Sequence, residues 1–244
     1  MYSFRQLINN KIPFLVLTIG VMSFLASAAC GAGISQNQKD QLKDLAVQTR
    51  QRTRVERQNL MRARRELFEA YRSYDLNEKK AKAAIEKIDR SQLKLLHIHL
   101  DNQTGIRDIL TASQFADFRS RVGNKMRGRR PGAIPPLREG NPDKLVDKTI
   151  QEMNLSADQT LPLSKLAEQK DNTTKKIRRD SKQMAGMYAA YNLDIAAAKK
   201  LINSIHRQQV NLLNLNFKKQ QALRKVLTAN QFNDLIGQIS RHSN

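Results

Sequence analysis

The chain contains one motif twice, and this repetition constrains its fold more than any other feature. Residues 110–115 read Leu-Thr-Ala-Ser-Gln-Phe, and residues 227–232 read Leu-Thr-Ala-Asn-Gln-Phe, an offset of 117 positions. Other residues coincide at the same offset, among them Tyr71 with Tyr188, Tyr74 with Tyr191, Ile88 with Ile205 and Arg107 with Arg224. The chain is therefore interpreted as two copies of one helical unit.

Nearer the start of each copy the offset changes to 121. Ser35 then aligns with Ser156, and Gln38 aligns with Gln159. The difference of four residues falls inside a predicted long helix. Because four residues are about one helical turn, the helix keeps nearly the same face on both sides of the change. The two copies are therefore expected to share one fold.

Each copy carries two signals for the start of a helix. Ser35 and Ser156 are each followed three residues later by Gln, which is the spacing of a capping box. The doubled motif repeats this spacing, with a leucine before the cap and a phenylalanine four residues after it, as in a hydrophobic staple. The structural cap residues are Thr111, Gln114, Thr228 and Gln231. This reading assigns the motif a structural role, in preference to ligand binding.

Two long helices with apolar seams are predicted between these signals. Asp75 and Asn192 are cap candidates, and the helices after them are expected to run to about Ile109 and Val226. Apolar residues recur there at steps of three and four, and neither copy shows the alternation of a strand. The seam residues of the first copy are Ala81, Ile85, Ile88, Gln92, Leu95, His99 and Ile106. The fold class predicted is all-α.

The two ends of the copies suggest four segments. Residues 1–29 have a positive start, an apolar run and small residues before Cys30, as in a signal peptide. The first repeat covers 34–122, a linker rich in Pro, Gly and Arg covers 123–154, and the second repeat covers 155–240. Cys30 is the only cysteine, so an internal disulfide is excluded. Lipidation of Cys30 is less favoured than its removal or its retention as a free thiol.

The chain is strongly basic, with a formal net charge of +21. On the helix predicted before Asp75, the apolar seam weakens where arginines crowd, and lysines and arginines occupy the corresponding part of the second copy. Two interpretations remain open: a solvated charged face, or an open basic groove that holds a partner. The candidate client-binding residues are Arg50, Arg54, Arg57, Arg62, Arg65, Lys175, Arg178, Arg179 and Lys182.

Catalytic and metal-binding patterns are weak or missing in the sequence. It has no Gly-rich phosphate loop, no nucleophile elbow and no His-Glu-x-x-His pair, so the chain is not expected to be an enzyme or to need a cofactor. His97 and His99 are weak metal candidates, but residues two apart on a helix point about 200° apart. His99 is better explained as a hydrogen-bonded core histidine. A site shared across a dimer with His206 or His242 stays open.

Paired Leu-Thr-x-x-Gln motifs on helical units behind an export signal resemble the Spy/CpxP family of periplasmic proteins. The resemblance covers nearly all of the chain after the signal, as two tandem copies. It implies an all-α fold of two helical hairpin units, each of about four helices, that could form an intramolecular pseudo-dimer cradle. It also implies ATP-independent chaperone activity in the envelope stress response, with clients held on a basic concave surface. Some related members bind zinc, nickel or cobalt.

The expected function is therefore a periplasmic chaperone-like protein that binds unfolded or partly folded envelope proteins. The alternative is a zinc-, nickel- or copper-responsive sensor or resistance protein of the same fold. An anionic lipid surface is a further possible partner, and nucleic acid is not expected as one. The fused repeats leave two assemblies open, a monomeric pseudo-dimer and a homodimer.

Overall fold

A computed structural model describes residues 33–128 and 156–241 of this protein. These residues form six α-helices and contain no strand: α1 (Gln36–Arg72), α2 (Glu78–Ile109), α3 (Ala112–Gly128), α4 (Ala157–Ala189), α5 (Ile195–Val226) and α6 (Ala229–Arg241). The predicted all-α fold class is confirmed. Of the about four helices expected in each unit, the described residues hold three on either side of the gap.

The helices start and stop where the local chemistry of the sequence directs. Ser35 and Ser156 each form a complete capping box with the Gln three residues later. Thr111 and Thr228 accept a hydrogen bond from the backbone N–H three residues on, and the Gln114 and Gln231 side chains accept one in return. α1 contains 37 residues and α4 contains 33, so the four-residue difference lies within these helices.

The caps of α2 and α5 lie two residues later than predicted. Asn77 accepts a hydrogen bond from the Lys80 N–H, and Asp194 accepts one from the Ala197 N–H. The prediction of Asp75 and Asn192 as caps is therefore wrong. The turns before both helices are held from outside by contacts with the other half of the molecule, and this delays the first helical residue.

The first residues of the segment predicted as a linker, 123–154, are helical. The backbone of α3 stays helical to Gly128, so residues 123–128 are helix. The first proline of the segment is Pro131, and Lys, Met and Arg before it are good helix formers. The predicted signal peptide, Cys30 and the rest of the linker lie outside the described residues.

α1 packs against α2 as one hairpin, and α4 packs against α5 as a second hairpin. The two hairpins meet through α2 and α5. Leu213 and Phe217 of α5 belong to the core that α1 and α2 form, and Leu100 of α2 belongs to the core that α4 and α5 form. Each hairpin therefore completes the hydrophobic core of the other.

A reciprocal clasp joins the turn of each hairpin to the far end of the other. Arg224 donates hydrogen bonds to the carbonyl oxygens of Tyr71, Ser73 and Tyr74 at 2.5–2.7 Å. The Tyr74 hydroxyl lies 3.1 Å from the carbonyl oxygens of both Arg224 and Leu227. The same contacts recur 117 residues away: Arg107 donates to Tyr188, Ala190 and Tyr191, and the Tyr191 hydroxyl meets the Leu110 carbonyl.

An aromatic ring packs against the clasp arginine of each hairpin. The Arg107 guanidinium lies 4.5 Å from the centre of the Phe115 ring, and the Arg224 guanidinium lies 4.4 Å from that of Phe232. These phenylalanines are the last residues of the doubled motif. Their burial gives the motif a tertiary role beyond starting a helix, because it supplies the ring on which the clasp arginine stacks.

Candidate interaction surface

The basic residues of α1 lie on its solvent side, opposite the core seam. With 100° between successive residues, Val47 to Arg65 places nine exposed side chains within an arc of about 140°. We call this set the α1 outer face: Val47, Arg50, Gln51, Arg54, Val55, Gln58, Met61, Arg62 and Arg65. The core residues Leu60, Ala63 and Leu67 point the opposite way.

The α1 outer face is basic because its arginines have no acidic partner. Among the described residues, no ion pair involves Arg50, Arg54, Arg62 or Arg65. Two carboxylates of this stretch are engaged with α2: Glu56 accepts from Lys94, and Glu66 accepts from Lys87. The arc from Val47 to Arg65 contains no Asp or Glu. Exposed Asp44 and Glu69 lie on the same side of α1, about one turn beyond its two ends.

Three exposed apolar side chains lie among these arginines. Val47, Val55 and Met61 keep 52%, 49% and 59% of their surface accessible, which makes them three of the five exposed large hydrophobic residues described. The sequence reasoning missed them because it followed the basic residues and the core stripe. Their spacing of eight and six residues on the face opposite the core was the available signal.

Polar contacts close part of the weakened seam of α1. Thr49 is buried, and its hydroxyl meets the Asn102 side chain at 3.2 Å. Arg52 pairs with Asp101 at 2.9 Å beside it. Of the predicted client-binding arginines, only Arg57 is half-buried, and burial lowers its pKa. The structure thus brings four of the five predicted α1 residues onto one open face.

The basic residues of α4 make a different surface. Lys175, Arg178, Arg179 and Lys182 are all exposed, as is Lys176. Lys175 pairs with Asp171 at 2.7 Å, and Arg179 contacts the buried Asp180 at 3.1 Å. None of the exposed large hydrophobic residues lies among them. This surface is polar and has a partly neutralised charge.

His97 and His99 do not converge on a third ligand. Among residues 33–121 and 156–237, no group of three or more His, Cys, Asp or Glu side chains could hold a metal ion. The His99 ring contacts the Tyr188 ring edge-on at 4.7 Å, and its Nδ1 has no hydrogen-bond partner. Burial lowers the His99 pKa to about 4, so the ring is neutral at physiological pH. The expected core histidine therefore lacks the expected hydrogen bond at Nδ1.

Equivalent positions of the two copies meet where α2 and α5 cross. The His206 Nε2 contacts the Asp89 carboxylate, and these residues are 117 positions apart. Gln92 and Gln209 are also 117 positions apart. Both are buried, and the side-chain oxygen of each has no hydrogen-bond partner. The contact between His206 and Asp89 lies where α2 and α5 cross and joins positions separated by the offset of the doubled motif. Sequence reasoning missed this pair because Asp89 and His206 are different residue types, and the comparison at the 117-residue offset looked for identical or similar residues.

Two open pockets lie elsewhere on the described structure. One is lined by Lys200, Asn203, His206 and Arg207 of α5, and the other lies around the turn before α5, beside Arg107. Neither takes a residue from α1. No described helix is long and apolar enough to cross a membrane.

Comparison with known proteins adds no relative: no protein-family model, no curated protein and no solved structure matches this chain.

Proposed function

We propose that this protein is an exported, chaperone-like holding protein of the Spy/CpxP type, formed by duplication of one helical unit into an intramolecular pseudo-dimer. The reciprocal clasp supports the duplication, because each of its contacts recurs 117 residues away. A clasp of this kind between two chains would build a homodimer. Within one chain, the covalent connection gives the two hairpins a high effective concentration for each other, so the clasp closes inside the molecule.

The observation that carries the proposal is the exposed positive charge of the α1 outer face, which no ion pair of the described structure neutralises. Arg50, Arg54, Arg62 and Arg65 face solvent without an ion pair among the described residues. Such charge attracts acidic stretches of an unfolded chain over about 8–10 Å at physiological salt. Val47, Val55 and Met61 then supply short apolar contacts, and weak contacts allow release without a nucleotide-driven step.

The test is the aggregation of a denatured acidic protein, followed by light scattering with and without the purified protein, in the absence of ATP. Suppression near one-to-one stoichiometry, weakened by high salt, is expected. A variant that lacks the exposed basic charges of α1 and α4 should lose this suppression. It carries Gln at Arg50, Arg54, Arg62, Arg65, Lys175, Lys176, Arg178 and Lys182.

The control removes four exposed basic residues of α5, with Gln at Lys199, Lys200, Arg207 and Lys218, and is matched in charge to a variant with Gln at Arg50, Arg54, Arg62 and Arg65 alone. This control should retain most of the suppression, because it leaves the α1 and α4 surfaces intact. No suppression by the unmodified protein at any salt concentration would contradict the proposal. Equal loss in the control would show that net charge alone acts.

A further inference from the structure

We propose that the α1 outer face is a docking surface for an anionic lipid surface. The argument starts from the composition of the face. It combines four unpaired arginines with Val47, Val55 and Met61 and contains no carboxylate. Helices that lie in the plane of a membrane interface combine basic and apolar side chains in this way.

Arginine suits lipid phosphate for a geometric reason. Its planar guanidinium donates parallel hydrogen bonds to two phosphate oxygens, and four such groups are spread over the face. Each basic residue close to an anionic leaflet adds to the attraction, and the effect fades within a Debye length. The apolar side chains between the arginines can enter the boundary between headgroups and acyl chains.

The shape of the face suits a lipid surface. α1 has no Pro or Gly between its ends, and the stretch from Val47 to Arg65 is about 27 Å long. A bilayer surface can contact the whole of such a straight helical face at once, with its headgroups at the arginines and its apolar boundary at the side chains between them.

The second half of the chain supplies an internal comparison. The corresponding side of α4 carries Asp171 and Glu168 among its lysines, and Lys175 is paired with Asp171. The part that corresponds to the α1 outer face, residues 168–186, presents none of the exposed large hydrophobic residues; Leu161 is exposed on the same side nearer the start of α4. Docking through net charge alone would use α4 as readily as α1. Docking through the combination of arginine and apolar side chains requires α1.

The experiment is flotation with phosphatidylcholine vesicles, with and without phosphatidylglycerol. The unmodified protein should float only with the anionic vesicles. Neutralising the α1 outer face with Gln at Arg50, Arg54, Arg62 and Arg65 should weaken binding at least about tenfold. The matched control carries Gln at Lys175, Lys176, Arg178 and Lys182 and should bind within about threefold of the unmodified protein.

A second variant tests the apolar contacts at constant charge. Gln at Val47, Val55 and Met61 should weaken binding several-fold and make the remainder more sensitive to salt. Circular dichroism and urea unfolding check that each variant keeps its fold, which is expected because all substituted side chains are exposed.

Three results would overturn the proposal. One is the absence of flotation with anionic vesicles. Another is an equal loss in the α1 and α4 neutral variants, which would reduce the effect to net charge. The last is binding of a denatured acidic protein that depends on the α1 arginines while vesicle binding does not, which would make the face a polypeptide site. The aggregation assay is a separate readout: suppression of aggregation by a protein that does not bind anionic vesicles would contradict this inference and leave the proposed function standing.

Discussion

The two hairpins resemble each other most where they touch and least where they face solvent. Arg107 and Arg224 make the same set of hydrogen bonds to the opposite turn, and Phe115 and Phe232 stack under them. The solvent faces of α1 and α4 differ, because the first combines arginines with apolar side chains and the second has mixed charge. A contact between the hairpins needs matching side chains on both sides, whereas an exposed face is free of that requirement.

The interiors of the two hairpins differ as well. Ala63 packs among apolar side chains in the first hairpin, while Asp180 occupies the corresponding position in the second. Asp180 is buried and accepts hydrogen bonds from Ser204 and Gln208 at 2.8 and 2.7 Å. The second hairpin therefore uses a polar network where the first uses close apolar packing. The following four changes, from the largest expected effect to the smallest, test this comparison.

Removal of either clasp arginine should have the largest effect. Arg107→Ala and Arg224→Ala each delete charged hydrogen bonds to three carbonyl groups and one ring contact, and each should lower the free energy of unfolding by about 3–4 kcal/mol. Urea unfolding followed by circular dichroism measures this. Arg72→Ala, on the exposed end of α1, is the control and should change little. Losses that differ by more than about 2 kcal/mol would contradict the equivalence of the two clasps.

Substitution of His99 tests a difference between the two hairpins through the pH dependence of folding stability. The His99 pKa is lowered to about 4 by burial, so the unfolded chain binds a proton between pH 6.5 and 4 while the folded chain does not. Stability should therefore fall by about 2 kcal/mol from pH 7.5 to pH 5 through this residue. His99→Asn copies Asn216 of the second hairpin and should remove that part of the pH dependence.

The control for this pH effect is His97→Asn, two residues away on the same helix. It should leave the fall in stability between pH 7.5 and pH 5 in place. Urea unfolding at a series of pH values gives both curves. An unchanged pH dependence in His99→Asn would show that His99 is accessible to protons in the folded protein.

Removal of the buried carboxylate should have a moderate effect. Asp180→Ala leaves Ser204 and Gln208 without their acceptor and should cost about 1.5 kcal/mol at neutral pH. Burial alone would raise the Asp180 pKa, but hydrogen bonds from Ser204, Gln208 and Arg179 lower it overall. The contribution of the ionised form is thus complete above about pH 4 and is lost as pH falls through the lowered pKa.

Thermal unfolding at pH 7 and at pH 3 distinguishes this effect. The difference between the unmodified protein and Asp180→Ala should shrink at the lower pH. Asp171→Ala, an exposed carboxylate on the same helix, is the control and should have a small effect at both values. A difference that grows on acidification would contradict the lowered pKa of Asp180.

The smallest effect concerns Gly105, which corresponds to Ala222. A Cβ at Gly105 would lie 3.0 and 3.1 Å from the two methyl carbons of Leu45, so this side chain must shift. Gly105→Ala should gain helix propensity and lose part of it to that shift, for a net change under about 1 kcal/mol. Ala222→Gly should lower stability by about 1 kcal/mol. Urea midpoints of both variants test whether the halves respond with opposite signs.

Local features of the fold were predictable from the sequence because they depend on neighbours along the chain. The capping spacings at Ser35 and Ser156 have their hydrogen bonds, and α2 and α5 end at Ile109 and Val226 as expected. The predicted caps at Asp75 and Asn192 were wrong because the opposite hairpin holds these turns. The roles of Arg107 and Tyr74 were also missed, since their partners lie more than 80 residues away.

The candidate surface was predictable only in part. Four predicted arginines lie together on α1, because the helical period that places the core seam also determines the opposite face. The apolar members Val47, Val55 and Met61 were missed, since exposure of an apolar side chain depends on what packs beside it. The α4 residues could be named from the sequence, but their pairing with Asp171 and Asp180 appeared only in the structure.

The sequence by itself determined the helical class, the doubled motif, the capping boxes and the periodic seams, because all of these follow from residue spacing along one helix. Only the tertiary structure decided that the two hairpins clasp each other, that Asp89 meets His206, and that the apolar and basic residues of α1 remain open to solvent. Long-range contacts depend on how whole faces pack together. A pattern confined to one helix records which face is apolar but not which surface covers it.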